Sequence, residues 1–268
     1  MAKQYNQKRL ETSADFMMPL PLTQEQIADL SEHSLTTENF DDATRGLYPD
    51  IPLPNHLNMT VIPIVPGITL YSYIRFFHAV PNRGPVDIYI NGRRVAKNLN
   101  YRHFTEYMKA FPGYYRVAVF PAGNITTPLF INYMNLIGYR IYTGVIAGNS
   151  EDASLEMIND NRRYLKKDTA YVRFVQMSEN APAMDVYVDD SLAIADLNYK
   201  EVSRYMAISP GSHNIKLRDY LSGAVLMEDP DMTVRGGKAY TVYIVGDVKD
   251  RTGLQVIIPL EGTTYLQF

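Results

Sequence analysis

Apolar residues in the central and C-terminal parts of this chain recur at every second position. Ile74 and Phe76 alternate with Arg75 and Phe77, and Val172 and Phe174 alternate with Arg173 and Val175. Val86, Ile88 and Ile90 alternate with Asp87 and Tyr89, as Met184, Val186 and Val188 do with Asp185 and Tyr187. A period of two is that of a β-strand with one face buried. Asn91-Gly92 follows one such run at once, and both residues tolerate positive φ, so a tight hairpin is expected there. Asp189-Asp190 is a weaker version of the same signal. Pro112-Gly113 and Pro210-Gly211 mark turns before strands at 114–120 and 213–217. Further strands are expected at 139–146 and 240–245, and 155–158 and 254–258 close the pattern. About seven short strands per unit, with a turn roughly every ten residues, predict an all-β chain of β-sandwiches.

The two sets of strands are copies of each other. Arg75 and Arg173 are 98 residues apart, and the same ungapped offset pairs Phe76 with Phe174, Asp87 with Asp185 and Tyr89 with Tyr187. It also pairs Leu99-Asn100-Tyr101 with Leu197-Asn198-Tyr199, Tyr107-Met108 with Tyr205-Met206, and Pro112-Gly113 with Pro210-Gly211. Gly138/Gly236, Tyr142/Tyr240, Thr143/Thr241 and Gly148/Gly246 keep it further on. A repeat of this length predicts two structural units. The expected division is an N-terminal arm (1–69), a first sandwich (70–160), a linker (161–169) and a second sandwich (170–268). The linker lies in the charged stretch DNRRYLKKDT from Asp160 to Thr169.

Strand, proline-containing loop, Asp-Val-Tyr-Val-Asp, Leu-Asn-Tyr, Tyr-Met and Pro-Gly together resemble the bacterial domain of unknown function family 4397, across both units. That resemblance implies two tandem immunoglobulin- or prealbumin-like β-sandwiches of the kind often found in exported proteins. It implies no activity.

The first 69 residues read differently. Pro19, Pro21, Pro49, Pro52, Pro54, Pro63 and Pro66 preclude a long helix or a central strand. Thr23-Gln-Glu-Gln26 is a capping-box pattern, so a short helix near 24–32 is expected, with a second at about 37–45 ending at Gly46. Leu47, Tyr48, Ile51, Leu53, Val61, Ile62, Ile64 and Val65 are too apolar for a solvated tail. They are expected to form an assembly arm that pairs with a sheet edge, on a neighbouring subunit or on the chain's own sandwich.

Net charge is −3, which gives no global basic field, so nucleic acid is not an expected partner. There is no cysteine among the 268 residues, so disulfides and thiolate metal sites are excluded. The 21 tyrosines and absent tryptophan fit half-buried strands best, with exposed binding faces or dityrosine cross-links as the other readings. No apolar stretch follows the polar first residues and none is long enough to span a bilayer. The chain is therefore expected to be made in the cytoplasm without a signal peptide or membrane span, with a spore surface as one destination.

No motif of catalysis stands out. GxSxG, HExxH, GxGxxG and DxDxDG are absent, and Arg235-Gly-Gly-Lys238 lacks phosphate-loop spacing. His33, His56, His78, His103 and His213 have no metal-ligand spacing, and strand histidines of this kind read as surface residues. Asn58-Met-Thr60 and Asn124-Ile-Thr126 match the glycosylation sequon, which matters only in a glycosylating compartment. Arg75 with Asp87, and Arg173 with Asp185, read as exposed cross-strand ion pairs on the face opposite the apolar residues. Neither cofactor nor metal is expected. The favoured function is a non-enzymatic structural or assembly module of a bacterial surface layer, spore coat or appendage. Its expected partners are further copies of itself or other surface proteins. The alternative is a ligand-binding or adhesion module for glycan or protein, using the end loops at 79–85 and 177–183.

Overall fold

The computed structural model describes residues 17–32, 71–160, 164–251 and 253–267. Among the described residues the chain is all-β apart from one short helix, α1 (Gln24–Glu32), and a 3-10 turn at Gly262–Thr264. The first unit contains β1 (Ser72–His78), β2 (Val86–Ile90), β3 (Arg93–Leu99), β4 (Met108–Ala110), β5 (Gly113–Pro121), β6 (Phe130–Leu136), β7 (Ile141–Gly148) and β8 (Ala153–Asn159). The second repeats them as β9 (Ala170–Gln176), β10 (Met184–Val188), β11 (Ser191–Leu197), β12 (Met206–Ile208), β13 (Gly211–Asp219), β14 (Val225–Val234), β15 (Lys238–Gly246) and β16 (Leu254–Ile257). Each unit thus has eight strands rather than about seven. The expected hairpin turn implied the strand at 93–99 and its copy, whereas those at 108–110 and 130–136, with their copies, were not expected.

Every unit is a pair of four-stranded sheets. The inner sheets run β4-β1-β7-β8 and β12-β9-β15-β16, and the outer sheets β3-β2-β5-β6 and β11-β10-β13-β14. β1 pairs with β7 in parallel and β9 with β15 likewise, whereas the other pairings within the sheets are antiparallel. Between the sheets of the first unit lie Ile74, Phe76, Ile88, Tyr115, Val117 and Leu136. Val172, Phe174, Val186, Leu217 and Val242 fill the same place in the second.

The hairpins form where the sequence put them. Asn91 (φ 48°) and Gly92 (φ 80°) take the left-handed conformation, and so do Asp189 (φ 50°) and Asp190 (φ 61°). The Asp-Asp turn holds because its first carboxylate braces the next strand: Asn214 N–H donates to Asp189 Oδ1 at 3.0 Å and His213 Nδ1 lies 2.6 Å from Oδ2. Asn91 Oδ1 accepts from Arg116 N–H in the same way, at 2.8 Å.

A third apolar cluster departs most from expectation. Phe77, Ala79, Val145 and Ala147 of the first unit meet Val175, Met177, Tyr243 and Val245 of the second. These are equivalent positions in the two repeats. The inner sheets therefore pack against each other about a pseudo-twofold axis, as in an isologous interface within one chain. β1 and β7 are buried along their whole length, on both faces. A parallel pair covered on both sides needs an apolar residue at nearly every position, which explains Phe77 beside Phe76 and Val175 beside Phe174.

Residues 17–22 of the arm dock on their own unit. Met17 bridges Lys109 on the outer edge of β4, Met18 N–H donates to Lys109 C=O at 2.8 Å, and Leu22 N–H donates to Tyr114 C=O at 2.8 Å. Met18 is buried in the first core. α1 follows with the expected capping box: Gln26 N–H donates to Thr23 Oγ1 at 3.2 Å, and Thr23 N–H to Gln26 Oε1 at 2.8 Å. Leu47, Tyr48, Ile51, Leu53, Val61, Ile62, Ile64 and Val65 lie outside the described residues, as does the expected second helix.

Gly113 (φ 143°) lies under Pro21, which would sit 2.6 Å from a Cβ placed there. Its counterpart Gly211 (φ 144°) has no described residue within 4 Å of that point. Alanine at either site meets the same backbone strain, so the difference isolates the arm. Gly113→Ala is expected to expose the Met18 and Leu22 amides to hydrogen exchange, whereas Gly211→Ala leaves their protection unchanged.

Candidate functional site

The pseudo-twofold interface is crossed by a buried polar clamp. In the first unit, Thr143 Oγ1 and Tyr107 Oη both donate to Asp160 Oδ2, at 3.0 and 2.9 Å. In the second, Thr241 and Tyr205 both donate to Glu261. Each unit's arginine stacks on its tyrosine, Arg75 on Tyr107 and Arg173 on Tyr205, both at 4.7 Å, and bonds its own threonine. Each then reaches across. Arg75 Nη1 donates to Leu260 C=O at 3.2 Å, and Arg173 Nη1 donates to Asn159 C=O at 2.9 Å. Arg173 Nη2 also meets Asp160 Oδ1 at 2.5 Å, and its Nε lies 3.3 Å from Glu261. Asp160 and Glu261 are fully buried.

Burial works against the charge of Arg173, but Asp160 and Glu261 outweigh it and hold its pKa above the ordinary value. Burial, then repulsion from Asp160, raises the Glu261 carboxyl. At the rim, Arg102 of the first unit bonds Gln255 at 2.7 Å and Lys200 of the second bonds Glu156 at 2.7 Å, again as crossed equivalents. The C-terminal residues return to the first unit, where Tyr73 Oη donates to Gln267 C=O at 2.6 Å. The two units are held as one frame.

That frame brings the two end loops together. A cleft of about 300 Å³ opens between them, lined by Pro81, Asn82, Asn149, Ser150, Glu151, Glu179, Asn180 and Asp247 with Gly148 and Gly246. Asn82/Asn180, Gly148/Gly246 and Asn149/Asp247 are equivalent pairs, so the cleft straddles the pseudo-twofold. Its walls are braced: Asn82 Nδ2 donates to Asp250 Oδ2 at 2.6 Å, and Asn180 Nδ2 to Asp247 Oδ2 at 2.8 Å. Asn149 Oδ1 accepts from the Glu151 and Asp152 amides. One wall oxygen is not satisfied. Glu179 Oε2 is buried and has no hydrogen-bond partner among the described residues, and the same is true of Tyr199 Oη. Burial, then the nearby Glu179 carboxylate, raises the Tyr199 pKa, so its hydroxyl keeps its proton at neutral pH.

The expected ion pairs are corrected by this geometry. Arg75 and Asp87 lie in different sheets of the first unit, and Arg173 and Asp185 in different sheets of the second. The loop at 79–85 carries the chain from the inner to the outer sheet, so successive alternating runs are not neighbours. Asp87 and Asp185 recur for another reason. Each accepts the amide of a residue held at positive φ in the following strand, Asn98 at 2.8 Å and Asp196 at 3.1 Å, where the hairpin register shifts. Asp87 also lies 3.6 Å from Arg94.

His78 and His213 are likewise buried rather than surface residues. His78 Nε2 lies 3.2 Å from Gly84 C=O. Burial pushes its pKa down to about 4, against that hydrogen bond and with help from Arg83 and His103. No group of three or more metal-ligating side chains occurs among the described residues, and no described helix is long and apolar enough to cross a membrane.

Sequence reasoning missed Asp160, Glu261 and Glu179. Tyr107/Tyr205 and Thr143/Thr241 were visible as recurring pairs. Their acids were not, because Asp160 and Glu261 are 101 residues apart and fall out of register. Glu179 has Pro81 as its counterpart and gave no signal.

One family's sequence profile, described as Domain of unknown function (DUF4397), matches residues 72–187 and again 170–264. The chain belongs to this family. It carries two copies of the DUF4397 domain, and the first match runs on into β10. No curated protein is detectably similar in sequence. Solved structures with some likeness include a candidate cell adhesion protein from Bacteroides uniformis (8% identity, 72% of this chain and 98% of that one, TM-score 0.25). Others are a family CBM26 module of Eubacterium rectale Amy13K in complex with maltoheptaose (8%, 72% and 99%, 0.22) and the fimbrial anchor protein Mfa2 of Porphyromonas gingivalis (8%, 72% and 98%, 0.22). TM-scores this low carry no argument about this DUF4397 chain.

Proposed function

We propose that this DUF4397 protein is a non-enzymatic binding module that takes a hydroxyl-rich ligand, of the glycan class, in the cleft between its repeats. The observation that carries the reading is Glu179 Oε2, a buried carboxylate oxygen without a donor in the wall of a cleft built from both repeats. Leaving such an oxygen unsatisfied costs about 1–3 kcal/mol or more, and a ligand hydroxyl recovers it once the partly exposed Glu179 side chain turns that oxygen into the cleft. A sugar presents several hydroxyls that can donate to Glu179. The amides of Asn82 and Asn180 add polar groups from the two sides. Within this reading each repeat is a variant of the immunoglobulin- or prealbumin-like sandwich, whose inner sheet is completed by the parallel pairing of its first and seventh strands.

Of the two roles drawn from the sequence, adhesion through the end loops has this support. Subunit assembly through the arm draws none from residues 17–22, which dock on their own unit, and nothing supports a spore coat.

A glycan array probed with the full chain tests the proposal. Retention of a defined glycan is expected, with Glu179→Gln weakening it about tenfold or more, since a hydrogen bond to a charged group is worth about 1.5–3 kcal/mol. No retained glycan, or retention indifferent to Glu179→Gln, overturns it.

A further inference from the structure

The first unit's inner sheet is covered at its β4 edge by the arm, and no described residue covers the same edge of the second unit. β12 pairs with β9 alone among the described residues. Met108 and Ala110 on β4 are buried under the docked arm, whereas Met206 and Ile208, their equivalents on β12, are only partly buried and Ala207 is exposed. Gly113 is in contact with Pro21, and no described residue occupies the corresponding space beside Gly211. Among the described residues, the second unit therefore repeats the dock but not the segment that fills it.

The segment itself is repeated elsewhere in the chain. The docked piece reads Met18-Pro19-Leu20-Pro21, and Ile51-Pro52-Leu53-Pro54 repeats its pattern of a large apolar residue followed by Pro-Leu-Pro. We propose that Ile51-Pro52-Leu53-Pro54 of the same chain docks on the outer edge of β12, with Ile51 over Met206 and Ile208 and Pro54 against Gly211.

Three physical points favour this occupant. An extended apolar segment satisfies an edge strand's outward backbone groups and covers its side chains together, as strand addition does. Proline on an outer strand removes only amides that would face away from the sheet. The chain from Pro54 to Tyr71 spans up to about 55 Å when extended, well beyond the roughly 10 Å between two packed sheets and the roughly 15 Å across one of four strands. A segment tethered within that reach is present at an effective concentration on the order of millimolar, which favours its own chain over a second copy. The two docks differ in one bond. Asn91 Nδ2 donates to Leu20 C=O at 2.8 Å, and Asp189, in its place, has no donor to offer Leu53.

The absence of cysteine makes the test direct. Met17 and Lys109 are bridge partners at the first dock, and Asp50 and Ala207 stand at the corresponding positions of the second. In the full chain, Asp50→Cys with Ala207→Cys is expected to close a disulfide at monomer mass, as completely as Met17→Cys with Lys109→Cys does. Adding Leu53→Asp is expected to lower the Asp50–Ala207 yield severalfold without changing that of the control pair. A disulfide only at dimer mass, no disulfide while the control pair closes, or a yield indifferent to Leu53→Asp overturns the proposal.

Discussion

Arg173→Met is expected to destabilise the folded chain by about 3–5 kcal/mol, the cost of removing one partner from a buried, hydrogen-bonded ion pair. Arg173 is buried and is the only guanidinium seen against either clamp carboxylate among the described residues, at 2.5 Å from Asp160 and 3.3 Å from Glu261. Without it, two acids remain fully buried with no guanidinium bonded to either. Arg75→Met is expected to cost less. Arg75 bonds a threonine hydroxyl and a carbonyl, its Nη2 has no hydrogen-bond partner, and its loss leaves Asp160 still paired with Arg173. Urea denaturation of both variants checks the order. If Arg173 served an exposed cross-strand pair, its loss would cost at most about 1 kcal/mol, so an effect that small, or equal effects for the two arginines, contradicts the clamp.

Acidification from pH 6.5 to about 4 is expected to remove about 3 kcal/mol of stability through His78 alone. The sign follows from the lowered pKa. The unfolded chain takes up the imidazole proton near pH 6.5, and the folded chain resists it until about pH 4. Between those values the unfolded state binds more protons, so stability falls as pH falls; above 6.5 the contribution is fully present. His213 works in the opposite sense. Burial lowers its pKa, but the Asp189 carboxylate and Ser209 carbonyl raise it overall, so it favours the folded state as pH falls. His78→Asn separates the two, because the variant lacks the His78 slope and keeps that of His213. Stability curves of wild type and variant that stay parallel from pH 7 to 4 would show that His78 is not held neutral by its burial.

Local features of the fold were legible in the sequence because local chemistry decides them. Asn91-Gly92 and Asp189-Asp190 are side chains that accept positive φ, and Thr23 with Gln26 caps α1 within four residues. The repeat was legible because both copies keep their register through the strands. What could not be read was the partner of each face. Phe77, Val145, Val175 and Val245 fall on the face that simple alternation gives to solvent, and only the other repeat buries them. Arg75 and Arg173 recur because each lies at a pseudo-symmetric crossing, and recurrence alone cannot tell that from a cross-strand pair. Asp160 opens a charged stretch and passes for linker until the second unit folds over it. The cleft was half legible. Equivalent loops were expected at equivalent ends, but their meeting depends on the packing of the inner sheets, and Glu179 stands in only one copy.

The central claim is that the clamp makes the two repeats one body and so builds a single cleft from both. Differential scanning calorimetry of the full chain tests this most directly. One transition is expected, with the van't Hoff and calorimetric enthalpies in a ratio of about one, as for a single cooperative unit. Two separable transitions, or a ratio near one half in a reversible scan, would mean that the repeats unfold independently and would contradict the account.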